Sequence, residues 1–277
     1  SGVAFSARTV LRLGVALLGA LLGVSMLTAL GGGSIALVVV GVVATILFGL
    51  VARRFVERDW RFGLLTSGSV AICGASAAMA VSAVLPRHER SERDLAFTVL
   101  SVTVLSTVAM VIYPMLSNLF GFTARDSGVF LGGTIHDVAQ VVGAGFSIGP
   151  EVGETATLVK LIRVSMLAPV VLAISLFIRA RGLADATDGR APPLLPSFVV
   201  GFIVLAALNS LGLIPKPVSD AAGVVSRWAL LISIAAVGIK TSLKKMLEVG
   251  GGAIALVVAE TIFIGVFVVG GLHLMGR

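Results

Sequence analysis

Apolar runs of about twenty residues recur along the whole chain and leave few ways to fold. Ile35 to Val51 is apolar at every position except Thr45. About 20 such residues cover the hydrocarbon core of a bilayer as a helix. Runs of that kind occupy 10–30, 34–52, 62–85, 95–119, 128–148, 156–179, 195–214, 224–243 and 251–275. Within lipid every backbone group must be satisfied internally, so only helices and closed barrels span it. Barrel strands alternate apolar and polar residues, and these runs do not. The prediction is an all-α polytopic membrane protein with about nine spans. Charged residues are only 13% of the chain, about half the share usual in a soluble domain.

The net charge of +7 sits in short clusters between the runs, not on one basic face, so it excludes nucleic acid as the natural partner and marks topology instead. In alternate connectors one side collects Arg53, Arg54, Arg58, Arg61, Arg125, Arg179, Arg181, Arg190, Lys244 and Lys245. The other collects Arg87, Arg90, Arg93 and Lys216. The richer side is cytoplasmic by the positive-inside rule, with the chain's start inside and its C-terminus outside; the 86–94 connector dilutes the bias. The chain opens at Ser1 without a charged n-region or cleavage site, which reads as an internal start. One cysteine, Cys73, excludes an internal disulfide.

Transporters are often built from inverted halves. Thr9-Val10-Leu11-Arg12-Leu13 resembles Thr157-Leu158-Val159-Lys160-Leu161 five helices later, an odd offset that inverts orientation. A competing match pairs Gly31 to Val39 with Gly250 to Val258, seven helices later. The five-helix offset gives one domain over 1–277, with a first repeat at about 1–120 and a second at about 125–277. It pairs 62–85 with 224–243.

Ionisable groups inside a span are costly and are functional candidates by default. His136, Asp137 and Gln140 lie together within Gly132-Gly133-Thr134-Ile135-His136-Asp137-Val138-Ala139-Gln140 and could hold a proton, a cation or an oxyanion; the plainer reading is a knot of interhelical hydrogen bonds. Lys160 and Arg163 share a helical face and ask for an anion, unless they snorkel to headgroups. Two glycine-interrupted spans, Gly68 to Ser76 with Gly74, Ala75 and Ser76, and Ala236 to Ser242 with Gly238, Lys240 and Thr241, permit unwinding. An unwound helix offers an N-terminus with a partial charge of about +0.5, which suits an anion. The glycines equally permit close helix packing, and Lys240 equally belongs with Lys244 and Lys245 at a helix end. Cys73, His88, His273, Asn209, Ser210 and Glu260 carry weaker signals. No catalytic residue, metal-ligand cluster, nucleotide loop or cofactor motif is expected, and hence no enzyme.

Ala71-Ile72-Cys73-Gly74-Ala75-Ser76-Ala77, Ile135-His136-Asp137-Val138-Ala139-Gln140-Val141-Val142, Val159-Lys160-Leu161-Ile162-Arg163-Val164, Asn209-Ser210 and Gly238-Ile239-Lys240-Thr241 resemble, in order, motifs of the YeiH-type sulfate exporter family of bacterial inner-membrane proteins. Members usually begin with about two further membrane helices. The resemblance implies the fold of sodium/proton antiporters and bile-acid symporters: inverted five-helix repeats with two crossing broken helices, here 62–85 and 224–243. Members tend to carry an acid after the Lys-Thr of the last motif, where Ser242 stands, so a cation-coordinating role there is in doubt.

The resulting expectation is a secondary transporter of a small anion such as sulfate, sulfite or an organosulfonate. The anion lies near Ser76 and Lys240, Lys160 and Arg163 are its charge partners, and His136-Asp137 is the titrating or coupling element. A coupling proton or sodium ion, the lipid bilayer and a second copy of the chain complete the expected partners. Rival readings are a cation/proton antiporter using Asp137, a membrane-embedded thiol enzyme using Cys73 and His136, and a non-transporting sensor or scaffold.

Overall fold

The computed structural model describes residues 9–21, 30–183, 197–240 and 250–275. Among these, every apolar run contains a helix and there is no strand. The helices are α1 (Leu11–Leu18), α2 (Gly32–Ala52), α3 (Trp60–Ala71), α4 (Ala75–Ser82), α5 (Ser91–Leu119), α6 (Ala124–Thr134), α7 (Val138–Ile148), α8 (Pro150–Ser165), α9 (Leu167–Ala180), α10 (Ser197–Ser210), α11 (Lys216–Lys240) and α12 (Gly251–Leu274). Four stretches are long and apolar enough to cross a membrane: Gly32–Val56, Ser91–Leu119, Pro150–Ala180 and Gly251–Leu274.

Local chemistry sets where the helices start. The Asp59 carboxylate accepts from the Trp60 N–H at the start of α3, and Thr123 accepts from the Asp126 N–H at the start of α6. Such caps satisfy amides that have no partner inside the helix.

Two of the predicted spans do not cross. A Cβ at Gly68 would stand 3.4 Å from Val81 Cγ2, although thirteen intervening steps of straight helix would separate them by about 19 Å. α4 therefore folds back along α3, and 60–82 is a re-entrant hairpin with its tip at Ile72-Cys73-Gly74. The same holds for 124–148. A Cβ at Gly128 would meet Thr155, and one at Gly132 would meet Val159, so α6 runs parallel to α8. One at Gly145 would stand 2.8 Å from Gly153 Cα, so α7 runs antiparallel to α8 across the turn at Gly149. Hence α7 returns along α6 from a tip at Ile135-His136-Asp137. Each arm of 8 to 12 residues rises at most about 18 Å, roughly half the core thickness.

The hairpins enter from opposite faces. Phe62 packs on Phe97 with centroids 5.9 Å apart, and Trp60 on Phe177 at 6.1 Å. The 53–61, 86–94 and 180 ends therefore share one face. On the other, Arg125 donates to the Leu30 carbonyl at 2.6 Å, Ser117 donates to Ser127 at 2.7 Å, and Phe122 meets His273 at 6.0 Å. The alternating topology predicted from the apolar runs is thus corrected: 53–61 and 86–94 lie on the same side. Arg53, Arg54, Arg58, Arg61, Arg87, Arg90, Arg93, Arg179 and Arg181 then all fall on one face, and the opposite connectors tied by these contacts show Arg125. The dilution disappears, and the arginine-rich face is the one the positive-inside rule assigns to the cytoplasm.

Of the predicted crossing pair, α11 continues without a break through Gly238 to Lys240, and residues 241–243 lie outside the described residues; among the described residues a second break lies at 135–137. A glycine in an apolar helix permits close packing without unwinding it.

Candidate functional site

The two hairpin tips meet. A Cβ at Gly74 would lie 3.3 Å from His136 Cβ and 3.7 Å from Val102 of α5. Gly74 adopts φ 65°, ψ −124°, a conformation open essentially to glycine alone, and it ends α3 by turning the chain into α4. At the second tip Ile135 (ψ 138°) and Asp137 (ψ 141°) are extended. Ser106 of α5 holds this tip, its hydroxyl oxygen accepting the His136 N–H at 3.2 Å and the Asp137 N–H at 3.0 Å.

Broken helices leave free carbonyls at each C-terminal end, and unpaired carbonyls in lipid are expensive. α8 supplies the remedy. Lys160 Nζ donates to Ile72 O at 2.7 Å and to Ile135 O at 3.0 Å. Arg163 donates from Nη2 to Val70 O (2.6 Å), from Nε to Ala71 O (2.9 Å), and from Nη1 to Ile135 O (3.1 Å) and Gly132 O (3.2 Å). Both side chains are at most 1% exposed, so snorkelling is excluded. A cation at the negative end of a helix dipole is favourably placed, and here two cations serve two such ends. Among the described residues the ion pairs are Arg61–Asp59 and His88–Asp94, so neither buried cation is bonded to a carboxylate. Carbonyl dipoles satisfy their donors but leave the net charge in place.

The N-terminal ends of the returning arms also point to this centre. Asp137 caps α7, its Oδ1 accepting from Ala139 N at 2.8 Å and Gln140 N at 3.3 Å. Gln140 donates to Thr107 at 2.9 Å. α4 has no side-chain cap; Ala75 and Ser76 form its first turn, and both are buried. Thr261 of α12 donates to Val257 O at 2.8 Å. It therefore accepts from His136 Nε2 at 3.1 Å, which assigns the imidazole proton to Nε2 and leaves buried Nδ1 without a partner. Thr134, by contrast, bonds back to Phe130 O at 2.6 Å within α6.

Of the predicted residues, Gly74, Ala75, Ser76, His136, Asp137, Gln140, Lys160 and Arg163 gather around the two tips. The backbone of Gly238 and Lys240 belongs to α11, whose Ser226 donates to Gly14 O of α1 and whose Ser219 donates to Ala20 O just beyond it. The Lys240 side chain and Thr241 lie outside the described residues. Ser106 and Thr261 were not foreseen, because a hydroxyl in a helix ordinarily bonds its own preceding turn and carries no mark of a tertiary role.

The sequence profile of the family described as conserved hypothetical protein 698 matches residues 1–257. The chain is 80% identical to the UPF0324 membrane protein TauZ of Paracoccus pantotrophus over 275 residues, covering 99% of this chain and 81% of that one. It is 79% identical to its namesake in Paracoccus denitrificans, with the same coverage. A UPF0324 membrane protein of Rhizobium meliloti is 61% identical over 277 residues, covering 100% of this chain and 80% of its own. No solved structure matches.

Proposed function

The chain belongs to the conserved hypothetical protein 698 family, whose curated relatives are named as UPF0324 membrane proteins, and from that premise we propose that it is a secondary transporter of a small anion. The observation that carries this reading is the pair Lys160 and Arg163, fully buried at the meeting of two re-entrant tips and hydrogen-bonded to carbonyls alone. A dry site with two positive charges and no bonded carboxylate attracts an anion. Non-helical backbone at membrane depth is tolerated where it lines a substrate path.

The substrate is sulfate, sulfite or an organosulfonate, held at the uncapped N-terminus of α4 near Gly74, Ala75 and Ser76. His136, Asp137 and Gln140 face it from the other tip, and His136-Asp137 is the coupling element. An inverted relation between the two hairpins, one from each face, suits alternating access better than the five-helix crossing. A cation antiporter built on Asp137 is disfavoured, because that carboxylate is already engaged as a helix cap.

Counterflow in proteoliposomes with sulfate, sulfite, taurine, chloride and sodium tests the proposal. Exchange of a sulfur oxyanion or sulfonate, abolished by Lys160→Met, is the expected result. Sodium flux without anion flux would overturn it.

A further inference from the structure

Glu260 lies near the middle of α12 and is fully buried. One carboxyl oxygen, Oε1, lies 2.9 Å from Thr66 Oγ1 of α3. The other, Oε2, has no partner. Gly49 of α2 makes the room, since a Cβ there would collide with Glu260 Oε1 and Ser67. Titratable and charged groups on the neighbouring elements have described contacts along α12. His136 reaches the adjacent Thr261, Tyr113 of α5 stands opposite Gly265, and Arg58 stands by Gly250 at the helix start. Among the described residues no ion pair involves Glu260.

A lone carboxylate in hydrocarbon is so costly that the group takes up a proton instead. Thr66 donates its hydroxyl proton to Oε1, which engages that oxygen and leaves Oε2 as the atom that takes up the proton. The pocket is also an interface. It joins the re-entrant arm α3 to the membrane-crossing α2 and α12, and the next residue along α12 touches His136 at the second tip.

We propose that Glu260 is a proton-binding site that couples this transporter to the proton gradient. The carboxyl is protonated while α3 is packed against it, and it releases the proton when α3 moves and water reaches Oε2. The coupling role rests on the transport reading; the existence of the site does not.

Infrared difference spectra of the protein in lipid vesicles, between acidic and alkaline media, read the site directly. Wild type should show the carbonyl stretch of a buried protonated carboxylic acid, and Glu260→Gln should lack it. Thr66→Val keeps the acid and removes its one hydrogen-bond partner, so it should shift the band; this variant decides the matter if Glu260→Gln does not fold. A pH gradient of one unit supports about tenfold accumulation per coupled proton, and Glu260→Gln should lose that factor. A spectrum unchanged by both substitutions would overturn the site. Bleaching of the band by sodium at constant pH would make it a metal-cation site and overturn the proton assignment. A band that vanishes with Glu260→Gln while gradient-driven accumulation persists would overturn the coupling. If wild type moves no anion, the transport reading fails, and the band alone decides the proton site.

Discussion

Gly74 and His136 stand tip to tip, one from each re-entrant hairpin, so close that a Cβ on the glycine would lie 3.3 Å from that of the histidine. The contact requires both the absent side chain and a positive φ of 65°. Gly74→Ala should therefore cost about 1–3 kcal/mol in backbone strain, with added displacement of His136. Gly121→Ala, at the same φ but in open space, should cost less. Thermal unfolding of both variants in detergent measures the difference, and equal losses would mean that the tips do not press on each other.

Arg163 spans both tips with four hydrogen bonds, which only a planar guanidinium can distribute in this way. Arg163→Lys keeps the charge but cannot reach both hairpins, and each charge-assisted bond lost should cost roughly 1.5–3 kcal/mol. Lys160→Met frees Ile72 O and Ile135 O with a similar penalty. A folded, fully stable Arg163→Lys protein would show that the tips are held by something else.

The re-entrant course of 60–82 makes a prediction that a crossing helix contradicts. Single cysteines at Arg54 and at Arg90, in a Cys73→Ser background, should both be shielded from an impermeant thiol reagent added to intact cells. A cysteine at Gly121 should react. Labelling of position 90 from outside would restore the crossing topology.

Hydropathy found every helical run, because burial in lipid demands apolar residues whichever way the chain travels. It could not tell crossing from folding back, since a run such as 62–85 is long enough for either. The sign of the error was present in the charges: Arg87, Arg90 and Arg93 diluted the bias only because 86–94 was placed on the wrong side. His136, Asp137, Lys160 and Arg163 were legible as a cluster because ionisable residues are rare inside spans. Their partners were not, since Val70, Ala71, Ile72, Gly132 and Ile135 contribute carbonyls that every residue possesses. The break at 135–137 was overlooked in favour of Gly238-Ile239-Lys240, where the helix in fact continues.

Asp137 separates the two transport readings by the sign of an effect. Its Oδ1 caps α7. Asp137→Asn retains an oxygen that accepts the same amides, so the fold should survive, whereas Asp137→Ala should lose about 0.5–2 kcal/mol of cap energy. In an anion transporter the carboxylate competes with substrate for the positive centre. The Asn variant should bind more tightly, by about fivefold for each ~1 kcal/mol of repulsion removed. A cation antiporter requires the opposite, because its ion ligand would be gone and coupled flux would cease. Titration of sulfate, sulfite and taurine binding to the wild type and the Asn variant distinguishes them; anion binding no tighter in the Asn variant would remove Asp137 from the anion site.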